Sequence, residues 1–481
     1  MRRPREQNAW DEYRLVLKYK DSEHFLENIQ ISGDLATALI YPNSYPVASS
    51  SLSFHELFRS FNKSSNISCE RFFYERSFKR FFSLDSLKQL DEFRIWAFSI
   101  HYEIDVLNFV DILKNFKIPL RKEERDPYHP VIIVGGALSF AKHALLNRIA
   151  DFVYRGDLEK SFIEKFWSLK SSFSREEIIG KLSRFEFSSP MINNNLSKSC
   201  FLSKYSSFSD RLLIEIGRGC NRKCRFCSVG YSFGKARFTL VEQLEAIIAS
   251  FINVTRKIGF IASTVTDYPY LEQLLDLIEK YDIIPSFSSL RVDSLTESLL
   301  MALKKGGQNQ FTIAPEGGSQ RIRNLFSKGI NSEHIDNALN LGIKAGFEAI
   351  KLYFIYGAPF EEEVDRKGIV QIAEQAKKKG YKKVIVSLNP LIPKPGTAYY
   401  NMPMTGMKEL KKIAMTLRKN LNTIPGVKTV FESVKEGIIQ YSIANLEQDS
   451  VENMIDILEN GDDIDRHLLK YAEYINSLRK E

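Results

Sequence analysis

The chain has 481 residues, enough for two or three domains, and its 44% hydrophobic and 12% aromatic content is that of a packed globular protein rather than a disordered one. Lys plus Arg exceed Asp plus Glu by 67 − 59 = 8, a mildly basic balance that suits an RNA or another anionic substrate. No apolar run approaches the roughly 18 residues of a membrane span, the start Met1-Arg-Arg-Pro-Arg-Glu6 has no apolar stretch behind it, and five cysteines, three of them clustered, suit a reducing compartment. A cytoplasmic protein without a membrane segment is the expectation.

Residues 1–30 are polar and charged and are predicted to lie along the surface as an extension. From Leu35 the pattern changes. Residues 36–42 read as a buried strand ending at a proline, and the small-residue turn Ser49-Ser-Ser-Leu-Ser-Phe54 leads into a helix over 55–62. Strands are predicted at 71–74, 95–100 and 130–137, the last closed by Gly135-Gly136, with helices over 84–90 and 106–115. Alternating strands and helices of this length imply a parallel sheet with helices on both faces, a Rossmann-like domain over 31–170. Residues 171–205 read as a linker, with the turn-rich segments 171–174 and 193–199 around a helix over 175–182.

Residues 206–400 alternate again. Strands are expected at 212–216, 258–263, 285–291, 311–316, 349–356 and 383–389, with an amphipathic helix over 239–251 and helical stretches between the others. Six βα units make a partial (β/α)6 TIM-type barrel, whose working residues belong at the C-terminal strand ends. Residues 401–481 read as a helical C-terminal region, with Ile439, Ile443 and Leu446 as a packing face. The fold class is therefore α/β.

Directly after the first barrel strand comes Gly217-Arg-Gly219 and then Cys220-Asn-Arg-Lys-Cys224-Arg-Phe-Cys227. Three thiolates at spacings of four and three can converge on one face of an iron–sulfur cluster, and a four-iron cluster normally takes four cysteines, so one iron is left open. A zinc site is the alternative. It needs a fourth ligand, often His, and the nearest in sequence are His143 and His334. Cys69 and Cys200 stand alone, so no second cluster is supported.

The spacing C-x3-C-x2-C with an aromatic before the third cysteine resembles the signature of the radical S-adenosylmethionine (SAM) superfamily. The resemblance implies that Cys220, Cys224 and Cys227 hold a [4Fe-4S] cluster whose open iron chelates SAM, with a flavodoxin or ferredoxin as electron donor. By the same similarity Phe226 positions the adenine, Glu316 of Pro315-Glu-Gly-Gly318 contacts SAM, and Lys328 pairs with its carboxylate. Gly357 and Glu361 of Gly357-Ala-Pro-Phe-Glu361 lie near the adenine, and Ser288 and Arg291 reach the ribose or the substrate. Residues 390–397, rich in proline, are similar to a segment shared by methylthiotransferases and cobalamin-domain radical SAM proteins.

The N-terminal domain resembles the cobalamin-binding domain of one branch of that superfamily, on the turn at 49–54, the segment 99–105, the strand end at 133–137 and residues 150–157. It departs from many cobalamin binders in lacking Asp-x-His-x-x-Gly, since Asp465-Arg-His467 is the only Asp-x-His and no glycine follows at the motif's spacing. The implied activity is reductive cleavage of SAM to a 5′-deoxyadenosyl radical on an unidentified substrate, with cobalamin-dependent methyl transfer as the finer reading. The alternatives are methylthiotransfer to RNA or protein and a non-catalytic iron–sulfur or RNA-binding scaffold.

Overall fold

The structure, a computed structural model, describes residues 9–141, 143–185 and 197–479. The chain divides into two compact units, Met1–Ile214 with Leu446–Ile464, and Glu215–Asn445 with Asp465–Glu481.

The first unit is built on a five-stranded parallel sheet: β1 (Leu35–Tyr41), β2 (Ile67–Phe73), β3 (Ile95–Ser99), β4 (Val131–Gly135) and β5 (Phe152–Val153). Near-continuous apolar runs suit these strands because helices cover both faces of such a sheet. The order is β2-β1-β3-β4-β5. The chain runs outward from β1 in one direction and from β3 in the other, so a topological switch point lies between those two strands, where open α/β sheets bind ligands. Helices Leu52–Phe61 and Asp105–Asn115 follow β1 and β3.

Three expectations are corrected here. Residues 9–30 lie mostly at the surface, as expected, but are not a plain extension: Ala9–Lys20 is a helix whose Glu12 is buried and accepts the amides of Lys79, Arg80 and Phe81. The strand Glu23–Phe25 follows and pairs with Phe201–Ser203, inside the predicted linker. The segment 193–196 of that linker lies outside the described residues. Residues 84–90 do not form a helix, because the Ser83 hydroxyl accepts the amides of Ser86 and Leu87 (both 3.0 Å) and the Ser86 hydroxyl donates to Glu70 (2.6 Å). Such local side-chain bonds compete with helical backbone pairing.

The same unit buries a full ion cluster. Arg71, with no solvent exposure, pairs with Glu23 at 2.7 Å and Asp85 at 2.8 Å, and its guanidinium lies 4.5 Å from the ring centres of both Phe58 and Phe201. A buried cation is tolerated because it is doubly paired and stacked.

The second unit begins at Glu215, the last residue of β6 (Leu212–Glu215), and Ile216 donates its amide to the Ile261 carbonyl at 2.8 Å. Strands β7 (Lys257–Ile261) and β8 (Ile284–Phe287) pair in parallel. Strands β9 (Gln310–Glu316), β10 (Ala349–Tyr356), β11 (Lys383–Pro390) and β12 (Val427–Phe431) form a second parallel sheet in that order. The strict alternation of β10 buries Ile350, Leu352, Phe354 and Tyr356 under the outer helices, each apolar side chain contributing about 1.5–3 kcal/mol. The opposite face carries Lys351 and Tyr353 of β10, with Thr312 of β9 and Ser387 of β11 at positions of the same parity. The six expected strands are therefore present as a partial TIM-type barrel. β12 is a seventh strand, inside the region read as helical. Its alternation is of partly exposed and exposed residues, so no apolar face marks it. The helix Val451–Asn460, in that same region, belongs to the first unit.

Candidate active site

The cysteine loop is held by its own backbone. Gly217 and Arg218 pair antiparallel with Arg237 and Phe238, closing a short hairpin around the thiols. Gly219 sits at φ +81°, and a Cβ there would lie 2.5 Å from the Lys235 carbonyl, so only glycine fits. Cys220 donates its amide to Gly234 (3.1 Å) and Cys227 to the Cys224 carbonyl (3.0 Å), while the Arg222 amide points at the Cys220 sulfur (3.4 Å).

Burial pushes the Cys224 and Cys227 thiols above their usual range, and the Lys328 ammonium opposes that rise at both. The two sulfurs thus share one field with Cys220 and Lys328. Three thiols on one short loop, with no histidine near them in sequence, are a donor set that suits a four-iron cluster, which takes each thiolate at a different iron.

Next to the thiols lies the end of β9. The register with β10 shifts between Ile313 and Glu316, and Glu316 adopts φ +64°, a left-handed backbone that a residue with a Cβ rarely takes. The turn aims its carboxylate at Lys328, 3.1 Å away, with the two side chains only 15% and 10% exposed. Lys328 is placed by Arg291, which is buried and donates to the Lys328 carbonyl (2.8 Å) while forming a bidentate pair with Asp293 (2.8 and 3.0 Å). Arg222 of the cysteine loop reaches Asp267 at 3.0 Å and Asp293 at 3.6 Å. Asp293 thus links the loop, through Arg291, to Lys328, and Asp267 gives Arg222 a second anchor. Sequence reasoning passed over both, and only their positions shortly beyond predicted strand ends could have marked them.

The other expected residues are placed as follows. Phe226 packs edge-on against Phe326, 5.4 Å between centroids, beside an apolar cluster of Ile322, Ala358, Leu391 and Tyr399. Gly357, at φ +73°, donates its amide to Glu361 (2.8 Å). Glu361 is 3% exposed and also meets Arg366 at 3.4 Å, yet burial outweighs both contacts and lifts its carboxyl to about 7. Ser288 stands apart from the thiol group, exchanging hydrogen bonds with the Ala262 backbone (2.8 and 3.0 Å). Arg291 is committed to Asp293 and Lys328, so it acts as a positioning residue in this geometry.

Residues 214–373 match the model of the radical SAM superfamily, and residues 53–188 match that of radical SAM proteins, N-terminal. The chain carries a radical SAM domain. That family implies a [4Fe-4S] cluster and SAM as cofactors, and the loop of Cys220, Cys224 and Cys227 with the adjacent Glu316–Lys328 pair fits them. The chain is similar to an uncharacterized protein of Methanocaldococcus jannaschii, 28% identical over 92% of this chain and 94% of that protein. It is 23% identical to the ribosomal protein uS12 methylthiotransferase RimO of Campylobacter jejuni over 56% of this chain and 63% of that one. Among solved structures it is similar to the cobalamin-dependent SAM radical enzyme OxsB, at 14% identity and a TM-score of 0.47, over 93% of this chain and 71% of that chain. No helix among the described residues is long and apolar enough to cross a membrane.

Proposed function

We propose that this radical SAM enzyme transfers a methyl group to a carbon atom of its substrate, with cobalamin carried by the N-terminal unit. The observation that carries the radical reading is the convergence of three thiols, a carboxylate and an ammonium at one set of strand ends. When bound, the cluster supplies the electron that opens the sulfonium bond of SAM, and the resulting 5′-deoxyadenosyl radical takes a hydrogen atom from the substrate.

The chain's own residues then have distinct tasks. Cys220, Cys224 and Cys227 would hold three irons of the cluster and leave the fourth for the amino and carboxylate groups of SAM. Glu316 accepts from the SAM ammonium or ribose hydroxyls and Lys328 donates to its carboxylate, charge-assisted bonds of the stronger kind. These two side chains hold each other at 3.1 Å, so the zwitterion exchanges one internal ion pair for two matched contacts. Phe226 and the Gly357 backbone would form the adenine edge.

For the N-terminal unit, support comes from the sheet order, which puts a switch point between β1 and β3. Gly135 ends the neighbouring strand half-buried, while Gly136 packs against Ile100, whose carbonyl a Cβ would meet at 2.4 Å. Cobalamin supplies a methyl carrier there. His101, at the same edge, has both nitrogens engaged: Nε2 with the Ser53 and Ser99 hydroxyls (2.9 Å each) and Nδ1 with the Ala137 amide (3.4 Å). A cobalamin bound here would be held without an imidazole from this residue. The relatives named for methylthio transfer, and a Pyrococcus horikoshii protein named as an uncharacterized methyltransferase, 29% identical over 34% of this chain, favour a methyl-bearing product. Methylthiotransfer needs a further thiol cluster, and the remaining Cys69 and Cys200 are fully buried, Cys200 lying 3.2 Å from His55.

The test is anaerobic reconstitution, mixing with hydroxocobalamin, desalting and a visible spectrum. Corrinoid near one per chain, with 5′-deoxyadenosine formed on adding SAM and reductant, is expected, and Cys224→Ala should lose both the iron and the product. Iron-dependent SAM cleavage with no corrinoid retained overturns methyl transfer by this route and leaves the radical reading. Stoichiometric zinc without iron–sulfur absorbance overturns both.

A further inference from the structure

The chain's positive charge is concentrated in one place. Residues 366–428 contain 14 Lys and Arg and 2 Asp and Glu, so they sum to 14 − 2 = +12, whereas the whole chain is +8 and the remainder therefore −4. This stretch takes in most of the helix Glu363–Lys378, then β11, the helix Met407–Asn422 and the start of β12, four consecutive elements of the second unit.

Their geometry turns the charge into a track. The helix Met407–Asn422 buries Leu410, Ile413, Leu417 and Leu421 and turns Lys408, Lys411, Lys412, Arg418 and Lys419 to solvent. Its first turn lies at the catalytic strand ends, because a Cβ on Gly357 would meet the Leu410 side chain at 2.3 Å. Its last turn leads to the start of β12, at the opposite end of the sheet. There Lys428 is in register with Ile385 near the start of β11, beside the exposed Lys383 and the Glu348-paired Lys382, and close to the helix end carrying Lys378. Sixteen helical residues span about 24 Å. The basic surface thus runs from the SAM edge along the helix to the far ends of the strands.

We infer that this surface binds the phosphate backbone of a structured RNA, anchoring a substrate whose reactive nucleotide reaches the catalytic strand ends. Twelve of the 14 cations are lysines, compact point charges suited to phosphates rather than to reading bases. Protein interfaces are depleted in lysine and have an apolar core. On these four elements the exposed large apolar side chains among the described residues are Val364, Met415 and Val430, each on a different element. A membrane-lying helix would present a full apolar face outward, whereas this one buries its apolar face in the unit's own core. Exposed, lysine-rich and extended over about 24 Å, the surface matches the polar, strongly positive character of nucleic-acid interfaces. The proposal rests on the radical SAM reading for what is done to the RNA, but not for the binding itself.

The experiment is fluorescence anisotropy of a labelled RNA hairpin with the full chain, titrated across salt without SAM. In the variant Lys378→Glu, Lys383→Glu, Lys419→Glu, Lys428→Glu the affinity should fall roughly tenfold or more, and the slope of log K against log salt should drop by about 0.7–0.9 for each phosphate that is no longer neutralised. A control with the same net charge, Lys63→Glu, Lys88→Glu, Lys160→Glu, Lys170→Glu, should retain most of the affinity. The milder Lys→Gln set at the first four positions should fall between, which separates charge from misfolding. Equal RNA affinity in the test and control variants overturns the proposal, as does binding of phosphatidylserine vesicles or a flavodoxin at this surface with no RNA binding. Because SAM cleavage is measured separately, failure of either property leaves the other standing.

Discussion

Single residues at the candidate site carry energetic conflicts that the fold sustains. Glu316 combines a left-handed backbone with a half-buried ion pair, and a strain of this kind, about 1–3 kcal/mol, persists only where the surroundings impose it. Glu361 is a second case. Its carboxyl, raised to about 7 chiefly by burial, binds a proton more tightly folded than unfolded. The associated stability is complete below about pH 4.5 and is lost as pH rises through 7, on the order of 3 kcal/mol. Glu361→Gln should therefore raise the unfolding midpoint relative to the parent at pH 8 and change it little at pH 5. Urea titrations at the two pH values check this, and an equal effect at both would mean that the carboxyl is already ionised at pH 5.

At the scale of elements, the β9 turn is seated by two facing glycines. A Cβ on Gly318 would lie 2.1 Å from the Asp365 carbonyl and 2.4 Å from the Ile369 amide, and one on Gly368 would lie 2.5 Å from the Gly318 carbonyl. The turn and the helix Glu363–Lys378 touch backbone to backbone, which brings Ser319 and Arg321 onto the buried Asp365. Gly318→Ala should cost about 3 kcal/mol, the upper part of the overpacking range, and lower SAM affinity by displacing Glu316. Gly180→Ala, in the helix Arg175–Ser183 with nothing within 4 Å, should gain up to about 1 kcal/mol. Chemical denaturation of both variants is the check, and similar small effects would show that the turn can move aside.

At the scale of the whole molecule, the first unit is discontinuous in sequence. The helix Val451–Asn460 buries Val451, Met454, Ile455, Ile457 and Leu458 within it. Its outer side adds Glu452, Asp456 and Glu459 around Arg121, and Lys114 donates to the Leu458 carbonyl. The exposed ion pairs contribute little each, and the apolar face about 1.5–3 kcal/mol per side chain. A fragment of residues 1–214 should aggregate, and the same fragment joined to 446–464 by a flexible linker should unfold cooperatively. Size-exclusion chromatography and calorimetry distinguish the two, and a monomeric, cooperative 1–214 would show that the helix is dispensable.

What the sequence determined by itself was whatever is local. The thiol spacing, the strands with continuous or alternating apolar runs, and the Pro-Glu-Gly-Gly turn are all written in neighbouring residues. They specified the α/β class, the six barrel strands and a cluster loop that matches the radical SAM model. Tertiary structure decided the rest. Arg291 reads as a ligand residue in sequence, but Asp293 and the Lys328 carbonyl engage it, and those partners come together only through the fold. The strand Val427–Phe431 carries no apolar alternation and is strand-like because β11 offers it a hydrogen-bonding edge. The helix Val451–Asn460 looks like its helical neighbours in sequence, and only the distant apolar surface that it covers assigns it to the first unit. Periodicity reports which face of an element is buried; it does not report against what.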